Sequence, residues 1–353
     1  MNDAATSPIR TAFVFGPHAG AHRVAARAGI SVAIPLLMLV LIDRTDWAAY
    51  AAFGAFTSLY GRRSGYAERT GMQAMAGLFL TLSVVLGATI ALLPGRAWWT
   101  VPGAALVAIT GQVVSSAFRW HPPGSIFLVF GITVSASIPG QPRLVPIAAA
   151  VAACSAAFAM LVGRIGALRE PRQRPRAVVP GADLNGTLRD PVQRITLLRL
   201  LIGILVAGSI STSLGGSHPS WAMVAVVATL TGPRRQTQIV RGIHRVVGTL
   251  AGVLVAWPLL ETHPSPIMTV LLIMILQMAA ELLVGRNYAI ALLAITPLAL
   301  LMGQLSAERP IGSVLADRAL ETALGAVIAL AMLVPWPRLL SRRPLRSPAS
   351  GHR

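Results

Sequence analysis

Two groups of charged residues lie where a largely apolar chain accommodates them least. Asp317, Arg318 and Glu321 fall inside the apolar run of about 311–334. If that run crosses a membrane as a helix from about Ile311, Glu321 lies near mid-membrane, where a charge costs about 2.5–3.5 kcal/mol even on the lenient insertion scale. Such a carboxylate is paired, protonated or functional. Asp317 and Arg318 sit one helical turn away. The trio therefore reads either as a proton-coupling group centred on Glu321 or as a structural Arg318–Glu321 pair that fixes helix packing. The second group is Arg241-x-x-x-Arg245-x-x-Gly248-Thr249. Its spacing puts both arginines on one helical face. With Arg62, Arg63, Arg69, Arg234 and Arg235 they can form an electropositive vestibule that gathers carboxylates, for which the guanidinium fork is suited. The bland alternative is topology signalling and contact with lipid headgroups.

Uncharged polar residues inside apolar runs extend this list. Gln112 and Gln277 occupy similar depths in two runs, as do Thr57 and Thr231. Each pair can line a substrate pathway. Against that stand interhelical hydrogen bonding for the glutamines and a bond to the helix's own backbone for the threonines. Gly248 and Gly252 form G-x-x-x-G, a close helix-packing pattern. Trp47 and Trp221 read as interfacial anchors at the outer rim, or as a gate. Glu281 reads as a snorkelling residue near a helix end. His121, His218 and His263 are isolated in sequence and read as interfacial, with no metal-ligand spacing. No nucleophile elbow, phosphate loop or dinucleotide fingerprint occurs. The reading is therefore no enzyme, no cofactor and no metal.

The elements that must position these residues follow from composition. Hydrophobic residues make up 54% of 353 residues, charged residues 12%, and mean hydropathy is +0.67. A soluble domain carries about 25% charge. The apolar residues come in runs separated by short polar breaks, which implies helices, because lipid offers a backbone amide no partner. The runs predict an all-α polytopic membrane protein with about 12 transmembrane helices, at roughly 26–42, 47–61, 71–93, 100–118, 124–138, 144–163, 195–214, 219–232, 242–260, 265–284, 288–305 and 311–334. The second and eighth are short. About 15 residues reach roughly 23 Å, less than a hydrocarbon core of about 30 Å. Matched short spans in two halves point to a substrate pathway.

The chain also repeats itself. Trp47 precedes Thr57 by the ten residues that separate Trp221 from Thr231. Arg62-Arg63 precedes Arg69 as Arg234-Arg235 precedes Arg241. This suggests two six-helix repeats, 23–163 and 194–337, parallel to one another because six is even. A polar N-terminal segment 1–22 without a cleavable apolar region precedes them. An Arg/Pro-rich linker 164–193 joins them, and a basic tail 338–353 follows. All thirty basic residues are arginine. Placing the N-terminus, the linker and the tail inside puts 25 arginines inside and leaves Arg44, Arg96, Arg143, Arg309 and Arg318 outside. That bias predicts cytoplasmic termini in a cytoplasmic (inner) membrane, and it explains the net charge of +18 without nucleic acid. One cysteine, Cys154, excludes an intrachain disulfide. Small-residue helix faces admit a homodimer.

The stretch from Trp221 through Thr231, Arg241, Arg245 and Gly248-Thr249 resembles the fusaric acid resistance and aromatic acid exporter family. It is more distantly similar to plant aluminium-activated malate transporters. The motif Asp317-Arg318-x-x-Glu321-Thr322-x-x-Gly325 fits as well. The likeness is looser in 47–77, where Gln73 stands near the place of Arg245 and Gly-Thr is absent. Members of that family with large cytoplasmic domains between the repeats exist, whereas this chain has only the linker. The resemblance implies export of small, often aromatic, carboxylates across the bilayer, driven by protons or not. A passive anion channel and a membrane scaffold without flux are the alternatives.

Overall fold

The computed structural model describes residues 21–62, 64–165, 181–215, 218–232 and 234–333. Residues 1–20 of the N-terminal segment, Arg63, most of the linker, Pro335-Trp336-Pro337 and the tail lie outside them. The described residues fold as helices with no strand. They comprise α1 Ala21–Leu41, α2 Ala48–Ala55 with a 3-10 turn Phe56–Leu59, α3 Tyr66–Ile90, α4 Arg96–Ala117, α5 Ile126–Ser137 and α6 Leu144–Arg164. After the linker come α7 Pro191–Ser213, α8 Pro219–Leu230, α9 Arg235–Glu261, α10 Pro266–Leu283, α11 Tyr288–Ser306 and α12 Ile311–Ala331. Every stretch read as a span is helical. Eight of them (α1, α3, α4, α6, α7, α9, α10 and α11) are long and apolar enough to cross a membrane.

Local chemistry sets the helix starts. The Asp190 carboxylate accepts from Val192 N at 3.0 Å, with Pro191 in the first turn of α7. Ser265 and Pro266 do the same for α10, and Asn287 Oδ1 accepts from Ala289 N and Ile290 N to open α11. Three starts depart from the apolar pattern. Helix α9 begins at Arg235, seven residues before the apolar run, so Arg241 and Arg245 both lie within it. Helix α3 begins at Tyr66, which puts Arg69 on a helix too. The linker carries a six-residue helix, Leu184–Arg189, capped by Asp183. Hydropathy marks where a helix is greasy; the backbone bonds continue until a cap or a turn stops them.

Packing between helices has the same pattern in both halves. In the first, α3 packs on α5 and α6, α2 on α6, α4 on α5, and α1 on α2 and α6. In the second, α9 packs on α11 and α12, α8 on α12, α10 on α11, and α7 on α8 and α12. The halves join through α1 with α10 and α4 with α7, and through α5 with α8 and α2 with α11. Glycines allow the closest approaches. Gly325 of α12 sits on the Ala222 carbonyl of α8, and Gly54 of α2 on the Ala152 carbonyl of α6. Gly248 and Gly252 of α9 sit on the Ala289 and Leu292 carbonyls of α11.

The two short helices are enclosed by the others. Every residue of α2 and its 3-10 turn is buried, and so is all of α8 after Pro219. The outer helices carry exposed large apolar side chains such as Met38, Leu82, Leu254 and Leu320, as a lipid-facing ring requires. Connections collect at two ends. At one, Gly61 N donates to His121 O (2.9 Å), Gly124 lies against Thr231, and Asp183 N donates to Ala117 O. We call this the linker end. Gly61 ends the 3-10 turn there with φ +71°, a conformation glycine adopts freely. At the far end, Arg96 Nη1 donates to Ile138 O (2.9 Å) and Arg309 meets His218.

Candidate functional site

Between the two halves runs a cavity of about 680 Å³. Its lining begins at linker-end residues Arg62, His121 and Glu281 and reaches far-end residues Asp46, Gln141 and Arg309. One wall comes from α2 and α5, which place Phe53, Phe56, Phe127 and Phe130 on it. Phe53 and Phe130 pack edge-to-face at 5.3 Å, and Phe56 and Phe127 are tilted at 5.3 Å. The second half supplies cationic and hydrogen-bonding groups: Trp221 from α8, Arg241 and Arg245 from α9, Tyr288 from α11 and Arg318 from α12. A volume of this size suits a small organic molecule, and an apolar lining with a few convergent polar groups is the usual make-up of such sites.

The arginines are held by the protein in specific ways. Arg241 Nε donates to the Ala228 carbonyl (3.2 Å), and its guanidinium lies over the Tyr288 ring at 4.5 Å. Arg245 is 3% exposed and donates through Nη1 to Tyr288 Oη at 3.0 Å. Arg318 is 1% exposed and lies 5.1 Å from the Trp221 ring. Trp221 in turn stacks on the His218 imidazole, with centroids 4.5 Å apart.

Each end of the cavity is bounded by a contact between polar side chains. At the linker end Arg62 pairs with the buried Glu281. At the far end His218 Nδ1 is 2.8 Å from Asp317 Oδ2, and Arg309 contacts His218 Nε2. An arginine can only donate, so Nε2 must accept and the imidazole proton sits on Nδ1, donating to Asp317. This describes a neutral histidine. His218 lies in the connection before α8, and burial holds its pKa below the ordinary value of 6.5, the Asp317 hydrogen bond opposing.

The structure brings some of the expected residues together and separates others. Arg241, Arg245, Gln277, Thr231 and Arg318 line the cavity. Thr231 also donates to its own helix at Val227 O (2.7 Å). Thr57 is buried under Gly77, away from the cavity. Gln112 donates to Ser116 Oγ on its own helix and faces a separate depression near Arg235 and Gln238. Gln112 and Gln277 therefore do not share one site. Glu321 is off the cavity wall and accepts from Ser211 Oγ of α7 at 2.6 Å; it forms no ion pair with Arg318. Of the remaining vestibule arginines, Arg69 donates to the Gly61 and Ser64 carbonyls, while Arg234 and Arg235 are exposed.

Three sequence expectations are overturned. Glu281 does not snorkel to an interface: α10 packs between α1 and α11 and turns it inward to Arg62. Trp221 is 6% exposed and walled in by His218 and Arg318, so it is no rim anchor. His218, 9% exposed, is part of an ionic chain and not an isolated surface group. The phenylalanine wall is not among the residues expected from the sequence. A signal for it existed, since Phe53 and Phe56 lie in one of the two short spans singled out as pathway.

Comparison with known proteins bears on this geometry. Residues 205–332, which carry α8, α9 and α12 with their arginines, match the family model described as fusaric acid resistance protein-like. The resemblance read from the motifs holds over this region. A 139-residue stretch is also 27% identical to an uncharacterised membrane protein, YvaC, of Bacillus subtilis (strain 168). That match covers 39% of this chain and 22% of the length of YvaC. No solved structure matches. The fusaric acid resistance-like region, the membrane-protein relative and the eight membrane-length helices agree on a multi-pass membrane protein.

Proposed function

We propose that this chain is a secondary exporter of small organic carboxylates, aromatic ones among them, working across the cytoplasmic membrane with both termini inside. The single observation that carries the reading is the cavity, with phenylalanines on one wall and three arginines on the other. An aromatic acid has the same two faces: an apolar ring and an anionic group that guanidinium binds well. Two parallel six-helix repeats agree with the recurrence of the same helix contacts in each half. A carrier, in preference to an open channel, is supported by an ion pair at one end of the cavity and a hydrogen-bonded Asp317–His218–Arg309 chain at the other. Proton coupling falls to Glu321, which is buried behind the wall on the same helix as Arg318. A carboxylate so placed releases a proton at a cost that depends on its surroundings, so its charge state can follow the conformation of α12.

The test is flux in proteoliposomes under an imposed pH gradient, with benzoate, 4-hydroxybenzoate and malate and with protein-free vesicles for passive leak. Substrate-dependent proton movement that disappears in Glu321→Gln is the expected result. Anion flux that ignores the gradient and survives the substitution would make the protein a channel. Absence of flux with every compound would refute transport of carboxylates.

A further inference from the structure

Two guanidinium groups are buried in the cavity wall with no counter-charge. Arg318 is 1% and Arg245 3% exposed. Nε and Nη1 of Arg318 and Nε of Arg245 have no hydrogen-bond partner. Among the described residues no carboxylate lies within ion-pair distance of either. The acidic side chains in this part of the molecule are engaged elsewhere: Asp317 with His218, Glu321 with Ser211 and Glu281 with Arg62. The Trp221 ring face beside Arg318 and the Tyr288 hydroxyl beside Arg245 offset only part of the missing solvation. An unpaired buried charge is among the costliest arrangements a protein can hold, and it persists where a ligand completes it.

We propose that Arg318, Arg245 and Tyr288 form a carboxylate-binding site inside the cavity. The proposal rests on the transport reading above and names where its substrate is held. Arg318 lies within electrostatic reach of both Arg245 and Tyr288. Tyr288 Oη accepts from Arg245, so its own hydroxyl hydrogen is free to donate to an anion. Arg241, stacked on the Tyr288 ring, adds positive potential without needing to touch the ligand. A bound carboxylate would take the free N–H groups of Arg318 and Arg245 and the phenol hydrogen. That set is acceptor-seeking throughout, so it selects an anion over a neutral amide of the same shape. The rest of an aromatic ligand would lie toward the phenylalanine wall. In this assignment Arg318 binds substrate and is not an accessory of Glu321.

The experiment measures melting of the purified full chain in detergent, with benzoate as probe and benzamide as its uncharged counterpart. A ligand that binds only the folded protein raises its melting temperature. Benzoate should stabilise the native protein and benzamide should not. Arg318→Gln and Arg245→Gln should each weaken benzoate binding by tenfold or more. Arg318→Lys, which keeps charge but loses the fork, and Tyr288→Phe should show smaller losses. The ligand-free protein supplies a second readout. Arg318→Gln removes a charge that the empty site leaves unpaired, so that variant should melt higher than the native protein, whereas loss of a purely structural arginine lowers melting. Benzoate affinity within twofold of native in both glutamine variants would overturn the site. So would a native protein that benzoate does not stabilise. Benzoate binding without flux would refute transport and leave the site standing. Flux unchanged in the glutamine variants would refute the site and leave transport standing.

Discussion

Replacing Glu281 by glutamine should open the linker end of the cavity. The Glu281 side chain is 5% exposed and that of Arg62 23%. Removing one partner of a fully buried ion pair costs about 3–5 kcal/mol, because the other charge stays buried. Arg62 keeps about a quarter of its surface in contact with water, so part of that cost is recovered by hydration, leaving roughly 2–3 kcal/mol. Arg27 nearby also has Nε and Nη2 buried without hydrogen-bond partners, and it too loses the field of the carboxylate. At about 1.4 kcal/mol per decade, the closed arrangement should lose roughly thirty- to a hundredfold in population against any arrangement that hydrates Arg62. The assay is labelling of a single cysteine at Val224, a cavity position on α8, by a membrane-impermeant maleimide. Cys154, which is exposed, is first replaced by serine. The labelling rate should rise in Glu281→Gln vesicles of one orientation and not the other. The exchange Arg62→Glu with Glu281→Arg should bring it back. Equal rates in native and Glu281→Gln vesicles of both orientations would refute the idea that this pair closes the cavity.

Two further outcomes follow from the geometry. At the far end, the folded protein holds fewer protons on His218 than the unfolded chain does, because burial lowers its pKa. Stability there is complete above about pH 6.5 and falls as pH drops through that value toward the lower folded pKa. Protonation of Nε2 would also turn the Arg309 contact into repulsion. His218→Gln should therefore flatten the melting temperature between about pH 7.5 and pH 5, and equal slopes in the two proteins would count against it. Within the helix packing, a Cβ on Gly325 would collide with the Ala222 carbonyl, whereas one on Gly312 meets nothing within 4 Å. Gly325→Ala should cost about 1–3 kcal/mol and Gly312→Ala nothing, or a gain of up to about 1 kcal/mol, read as opposite shifts in melting. Equal melting would contradict the packing.

The helices were legible because lipid and protein interior impose one rule on both: an apolar run must satisfy its own backbone. Their starts were less so. Five of the seven residues from Arg235 to Arg241 are polar, yet all seven are helical, since α9 extends beyond its continuous apolar run. Residue identity exposed Arg241, Arg245 and Arg318 as costly charges, and all three line the cavity. What they face was hidden. Arg62 meets Glu281 across more than two hundred residues of sequence, and Glu321 takes its hydrogen bond from Ser211 and not from Arg318 three residues away. Such pairings depend on which helices become neighbours, and periodicity along one helix carries no information about that. Trp221 shows the same limit. Its position at a helix start suggested an anchor, and only the approach of α12 makes it the floor beneath Arg318.

The enclosure of α2 and α8 has a consequence for how the protein meets its membrane. An outer helix must match its greasy length to the thickness of the hydrocarbon around it, by tilting or by stretching or thinning the lipid. These two helices touch protein on all sides, so no such matching applies to them. Their shortness is not a mismatch at all. The outer ring absorbs changes of bilayer thickness, and the walls Phe53, Phe56 and Trp221 give the cavity are set by protein neighbours whose spacing the lipid does not dictate. The cavity is in that sense insulated, its dimensions fixed by close-packed side chains while the lipid around it varies.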